Sequence, residues 1–134
     1  MQLKNYQLLN IGNFLQSLAL PAQVSRARTK FIASLDEAIK DLGNSERELV
    51  AEHGGTVTEA GVIEWPEGSN PAQYNADHTE MIHEVISIET NQVTLMEAFK
   101  NFFVNWDGII DPEHAEAFDA FYDALNIEEE NEDK

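Results

Sequence analysis

The sequence predicts a mainly α, α+β fold: about five helices packed around one core, with a small β-hairpin or strand element in the middle. Two observations predict it. Apolar residues recur at helical spacing in four separate segments, while β-branched runs are short and confined to the stretch between residues 54 and 89. With 134 residues and 43% apolar side chains, the chain is expected to form a single globular domain over residues 1–127. An acidic tail, residues 128–134, is too polar to pack and is expected to be disordered.

The elements follow in order. Leu8, Ile11, Leu15 and Leu18 share one helical face, widened by Leu9 and Phe14, and Pro21 follows the end of this first helix. Ser25 is a good N-cap for a second helix, with Phe31, Ile32, Leu35, Ala38, Ile39 and Leu42 on one side. Gly43-Asn44-Ser45 is expected to end or kink it. Ser45 and Glu48 form a capping-box pattern that restarts a helix through about His53. In GGTVTEAGVIEWPEGSN the turn chemistry of Ala60-Gly61 suggests a short hairpin, Thr56–Thr58 against Val62–Trp65, or else an ordered loop. Asn70, Pro71 and Gln73 supply a cap, an N1 proline and a capping box for a third helix to about His83. Glu84–Glu89 is β-branched and reads as a strand. Leu95, Met96, Phe99, Phe102 and Phe103 mark a fourth helix. Asp111 and Pro112 open a fifth, lined by Phe118, Phe121, Tyr122 and Leu125.

Charge narrows the function. The chain carries a net charge of −17, and only eight basic residues in all. Residues 1–47 carry a small positive excess, and residues 48–134 hold two basic side chains (Lys100, Lys134) against 21 acidic ones. That field repels nucleic acid and anionic membrane and favours basic partners. No apolar stretch approaches the roughly 18 to 20 residues that a membrane span needs. The absence of cysteine removes disulfides, thiolate metal sites and a thiol nucleophile.

Motifs for catalysis are wanting. Asp77, His78, Glu80, His83 and Glu84 cluster in DHTEMIHE, and Glu80 with His83 has the spacing of carboxylate-bridged metal sites, but no second copy of that spacing exists. Surface acidity is the plainer reading, with weak metal binding at His78, Glu80 and His83 left open. Asp107, Gly108 and Asp111 do not match a calcium loop, and no phosphate-binding loop or nucleophile elbow is present. The expectation is a protein without enzymatic activity, cofactor or resident metal.

The scarce positive charge gathers in VSRARTKF, where Arg26, Arg28 and Lys30 share five consecutive positions. On a helix Arg28 falls on the apolar face, while Arg26 and Lys30 point the other way. Arg28 is therefore expected to be largely buried over the core and paired with a carboxylate from the acidic half. Arg26 and Lys30 are expected to contact an acidic partner or a second copy of this chain. Trp65, Tyr74 and Trp106 sit at loops or helix ends, outside the stripes, and are the aromatic candidates for partner binding. Ser25, Asp111 and Pro112 are assigned structural roles at helix starts.

Two segments carry a resemblance: NIGNFLQSLALPAQVSRARTKFIASLDEAIKDL near the start and NWDGIIDPEHAEAFDAFYDAL near the end. Leu18-x-Leu20 with Ser25-Arg26-x-Arg28-x-Lys30, joined to the terminal Tyr122-Asp123-Ala124-Leu125, resembles a family of small proteins of tailed bacteriophages and prophages of Gram-positive bacteria. The family has no established activity, so no functional residue carries over. The resemblance implies a non-catalytic accessory of tail or virion assembly, with a phage structural or host protein as partner. It also implies residence in the infected or lysogenic host cytoplasm or in the virion. The alternative is an acidic nucleic-acid mimic that inhibits a host DNA- or RNA-binding defence protein.

Overall fold

The computed structural model describes the backbone of residues 1–132 and the side chains of residues 1–125. The expected acidic tail lies outside the residues whose side chains are described. Among the described residues there are five α-helices and two small antiparallel strand pairs, a mainly helical fold. Helix α1 covers Leu8–Gln16, α2 Ala22–Glu52, α3 Pro71–Ile82, α4 Val93–Val104 and α5 Ala115–Glu132. Strand β1 (Gln2–Lys4) pairs with β4 (Val85–Ser87), and β2 (Thr56–Val57) with β3 (Ile63–Glu64).

The four stripes converge. Phe14 of α1, Phe31 of α2, Phe99 and Phe103 of α4 and Phe121 of α5 are all at most 1% exposed. Phe99, Phe103 and Phe121 contact one another with centroids 5.1 to 5.7 Å apart, and Phe31 lies 5.5 Å from Phe99. Leu8, Ile11, Leu15, Leu35 and Leu125 fill the spaces between them. A fully buried phenylalanine contributes about 1.5–3 kcal/mol, and each edge-on ring pair adds about 0.5–1.5 kcal/mol.

Three expectations about element boundaries are corrected. Helix α2 begins at Ala22, not at Ser25, because Pro21 presets an entry and takes the N-cap position. Ser25 lies inside the first turn, its N–H bonded to the Pro21 carbonyl at 2.8 Å. The helix also runs unbroken through Gly43 for 31 residues, roughly 46 Å. A mid-helix glycine costs about 1 kcal/mol, and burial of Leu49 and Val50 beyond it outweighs that. At the other end of the chain, Asp111 and Pro112 open a 3-10 turn, Pro112–His114, and α5 follows from Ala115. Asp111 makes no side-chain cap bond there.

The hairpin and the third helix match their reading closely. Val57 faces Ile63, the Thr58 N–H reaches the Val62 carbonyl at 2.9 Å, and Gly61 supplies the positive φ of 81° that the turn requires. Asn70 Oδ1 accepts the Gln73 N–H at 3.4 Å, and Pro71 is the first residue of α3. Strand β1 was not anticipated. Its signal is a period of two, Met1, Leu3 and Asn5 buried with Gln2 and Lys4 exposed, which is short and easily absorbed into the helical stripe beside it. Asn5 ties this segment to α3, donating through Nδ2 to the Met81 carbonyl at 3.0 Å.

Trp106 closes the core at the α4–α5 turn, against Phe14, Phe103 and Phe118. Its indole lies against Gly108, where a Cβ would stand 2.1 Å from the nearest ring atom. The ring cannot swing clear, because three aromatic neighbours hold it. Gly108→Ala is expected to lower the unfolding free energy by about 1–3 kcal/mol, the usual cost of overpacking. The check is a urea titration followed by tryptophan fluorescence in a Trp65→Phe background; an unchanged midpoint and emission maximum would contradict this packing.

Candidate functional site

Among the described residues Arg28 has no carboxylate partner, which corrects the expectation. It is only half-buried, and its guanidinium donates to the carbonyls of Leu15 and Leu18 at 2.9 and 2.5 Å. These are carbonyls at the end of α1, where the helix leaves acceptors unsatisfied and carries partial negative charge. The end of α1 lies close by and already offers two acceptors to the guanidinium. Arg28→Met is expected to cost about 1–2 kcal/mol, the worth of hydrogen bonds to a charged group at a partly solvated site. An unfolding midpoint equal to that of the wild type would show that water replaces the guanidinium without loss.

Arg26 and Lys30 are exposed, and among the described residues neither has a hydrogen-bond or ion-pair partner. They lie one turn apart on the outer face of α2. The three aromatic candidates are corrected together: none is an exposed anchor. Tyr74 is 6% exposed, and Trp65 and Trp106 are half-buried against neighbouring rings. Loop position misled here because the loops fold back onto helices.

Tyr74 and Trp65 belong to a second cluster, in which Leu49 and Val50 of α2 meet Ile63, Trp65 and Met81. Gly55 admits the indole, since a Cβ there would stand 2.7 Å from Trp65 and 2.9 Å from Val50. Polar pairs rim this cluster. His78 Nε2 is 2.7 Å from Glu46 Oε2, and His53 Nε2 is 2.9 Å from Asp77 Oδ2, whose other oxygen accepts Gln73 Nε2 at 3.0 Å. The His78 ring stacks on Tyr74 at 5.4 Å and 17°. His83 bonds through Nδ1 to the Thr79 carbonyl at 2.7 Å and packs on Tyr6. The histidines thus join α3 to its neighbours, and among the described residues no three His, Asp or Glu side chains converge as a metal site.

The candidate surface that sequence reading missed lies along α5. Glu116, Asp119 and Asp123 are exposed and share one helix face. They wall a hollow of about 380 Å³ that faces Tyr6, Gln7 and Asn10 over Ala117 and Ala120, and Asp123 also borders an adjoining hollow of about 370 Å³ bounded opposite by Gln7 and β1. The i, i+3, i+7 spacing of these acids was visible; what would stand opposite them was not. No helix of the described residues is long and apolar enough to cross a membrane.

Burial raises the pKa of Tyr74 above its ordinary value of about 10, and the nearby Glu46 carboxylate pushes the same way. The neutral phenol is thus favoured in the folded state, and the unfolded chain loses its proton first. Stability contributed by Tyr74 is complete below about pH 10 and is lost as pH rises through the folded-state pKa. Denaturant titrations between neutral pH and pH 11 are expected to show this decline, and Tyr74→Phe to flatten it. An equal decline in the variant would assign the effect to other groups.

Three comparisons give one result: no protein-family model, no curated protein and no solved structure matches this chain.

Proposed function

We propose that this chain is a non-catalytic protein that binds a cationic protein partner, as an accessory of tail or virion assembly in a bacteriophage or prophage. The observation that carries the binding role is the row Glu116, Asp119 and Asp123. Three exposed carboxylates on one rigid helix wall a groove whose floor is alanine, so a basic side chain can approach them closely. Among the described residues, Lys4 is the one basic side chain in the lining of the two hollows. The remaining acids from residue 48 onward extend the field and would steer such a partner. The assembly setting, in the host cytoplasm or the virion, rests on the phage resemblance of the N- and C-terminal segments.

A second reading draws on the same row. Helical rise places Glu116, Asp119 and Asp123 roughly 4.5 and 6 Å apart along the axis, a regular line of negative charge. Such a line suits a nucleic-acid mimic that occupies a host DNA- or RNA-binding defence protein. The exposed Arg26 and Lys30 favour the assembly reading, since cations on the surface oppose mimicry.

One titration separates them. The partner captured from infected-cell lysate is titrated at low and high ionic strength, with duplex DNA as competitor. Under the assembly reading, binding weakens moderately with salt and ignores DNA, and the charge reversals Glu116→Lys, Asp119→Lys and Asp123→Lys together reduce affinity about tenfold or more. Loss of binding to both salt and DNA would establish the mimic instead.

A further inference from the structure

Among the described residues, one edge of strand β4 has no main-chain partner. Antiparallel ladders alternate hydrogen-bonded and non-bonded residue pairs. The Met1 amino group donates to the Ile88 carbonyl at 3.1 Å and the Ile88 N–H returns a bond to Met1 at 2.7 Å, while the Asn5 N–H reaches the Glu84 carbonyl at 3.1 Å. The register therefore makes Leu3–Ile86 a bonded pair and leaves Gln2–Ser87 and Lys4–Val85 unbonded. The N–H and C=O groups of Val85 and Ser87 point away from β1.

The surroundings confirm that direction. The same parity turns the Glu89 carbonyl outward, and there it accepts Ser34 Oγ of α2 at 3.2 Å. Beside that contact, a hollow of about 190 Å³ separates α2 from the strand, with Glu37, Ala38 and Asp41 on one side and Ser87 on the other. Val85 is 58% exposed. On β1 the outward N–H of Lys4 is already taken by Gln7 Oε1 at 2.9 Å, so β4 carries the open edge.

We propose that this edge accepts one extended, cationic segment of a protein partner as a third strand. Main-chain bonds to Val85 and Ser87 would hold it, and side chains at alternate positions would select it. Charge identifies the occupant. Glu84 and Glu89 stand at the two ends of the strand, and Glu37 and Asp41 face it from α2, all four exposed. Side chains two apart on a strand repeat every ~6.6 Å, and Glu37 and Asp41 are separated by ~6 Å along their helix. Lysine or arginine at every second position of an added strand thus matches the spacing of Glu37 and Asp41. A second copy of β4 would instead set its own Glu84 and Glu89 against these acids. Among the described residues, the cations on this strand pair are Lys4 on β1 and the Met1 ammonium at the end of the ladder, both on the side away from the open edge.

This deepens the protein-binding reading and rests on it. The test is amide hydrogen exchange by NMR with a blocked six-residue peptide that alternates lysine and valine. A glutamate-for-lysine peptide and a peptide N-methylated on its edge-facing amides serve as controls. The alternating peptide is expected to slow exchange at Val85 and Ser87 about tenfold or more, and the controls to leave it unchanged. Ser87→Pro, which removes an outward donor at a position where an edge strand tolerates proline, is expected to weaken binding about tenfold. Glu37→Lys with Asp41→Lys, on the surface of α2, is expected to do the same without touching the strand. Protection that maps to α5 and spares β4 would overturn the edge site while leaving the protein-binding reading intact. Absence of peptide binding would overturn it too, with partner capture in the salt titration reporting separately on that reading. Self-association abolished by Ser87→Pro would replace the cationic segment with a second copy.

Discussion

Five phenylalanine rings, drawn from α1, α2, α4 and α5, meet at the centre of this protein, and every helix except α3 is positioned by what it contributes there. An interior packed at crystal-like density leaves no latitude: once Phe99 and Phe103 are set against Phe121, the crossing of α4 and α5 is settled. The connection between them, residues 105–114, closes over the same core, and Trp106 folds inward there over a glycine. Phe14 receives that indole from α1 and so links the first helix to the last two. The β1–β4 pair is subordinate, holding Met1 and Leu3 on the edge of the same core.

Helix α2 extends this order outward. Its first half buries Phe31 and Leu35 in the main core, and its second half carries Leu49 and Val50 to the smaller cluster with Tyr74 and Trp65. That cluster is small, and the polar pairs His78–Glu46 and His53–Asp77 add directional bonds where apolar area is limited. The hairpin β2–β3 rides on it through Ile63 and Trp65.

Acid dominates the surface, and its placement matters more than its amount. A net charge of −17 opposes compaction and keeps molecules apart, a cost tolerated because most of the acids are exposed. Rows on rigid elements behave differently from scattered charges. Asp123 on α5, and Glu37 and Asp41 on α2, border hollows beside the β1–β4 pair, while Glu116 and Asp119 border one that faces Tyr6, Gln7 and Asn10, and in each the low-dielectric wall strengthens their field. The basic pair Arg26 and Lys30 lies on a separate, outward face of α2.

Local chemistry was legible in the sequence wherever a short-range rule decided the outcome. The apolar stripes announced four helices because the 3.6-residue period is imposed by burial of one face. Asn70-Pro71 and Ala60-Gly61 announced a helix start and a turn because capping and positive φ are properties of neighbouring residues. Tertiary structure decided whatever depended on residues distant in the chain. Gly43 does not break α2, because packing at Leu49 and Val50 outweighs a local propensity of about 1 kcal/mol. Arg28 turned to the carbonyls of α1 and Trp106 turned into the core, because nearby acceptors and rings became available only once the helices had packed. The strand β1, the open edge of β4 and the groove under α5 all arise from joining residue 3 to residue 86. Each segment carries only its own local strand signal, and which strand pairs with which leaves no trace in either, since pairing registers through the backbone and not through the identity of the side chains.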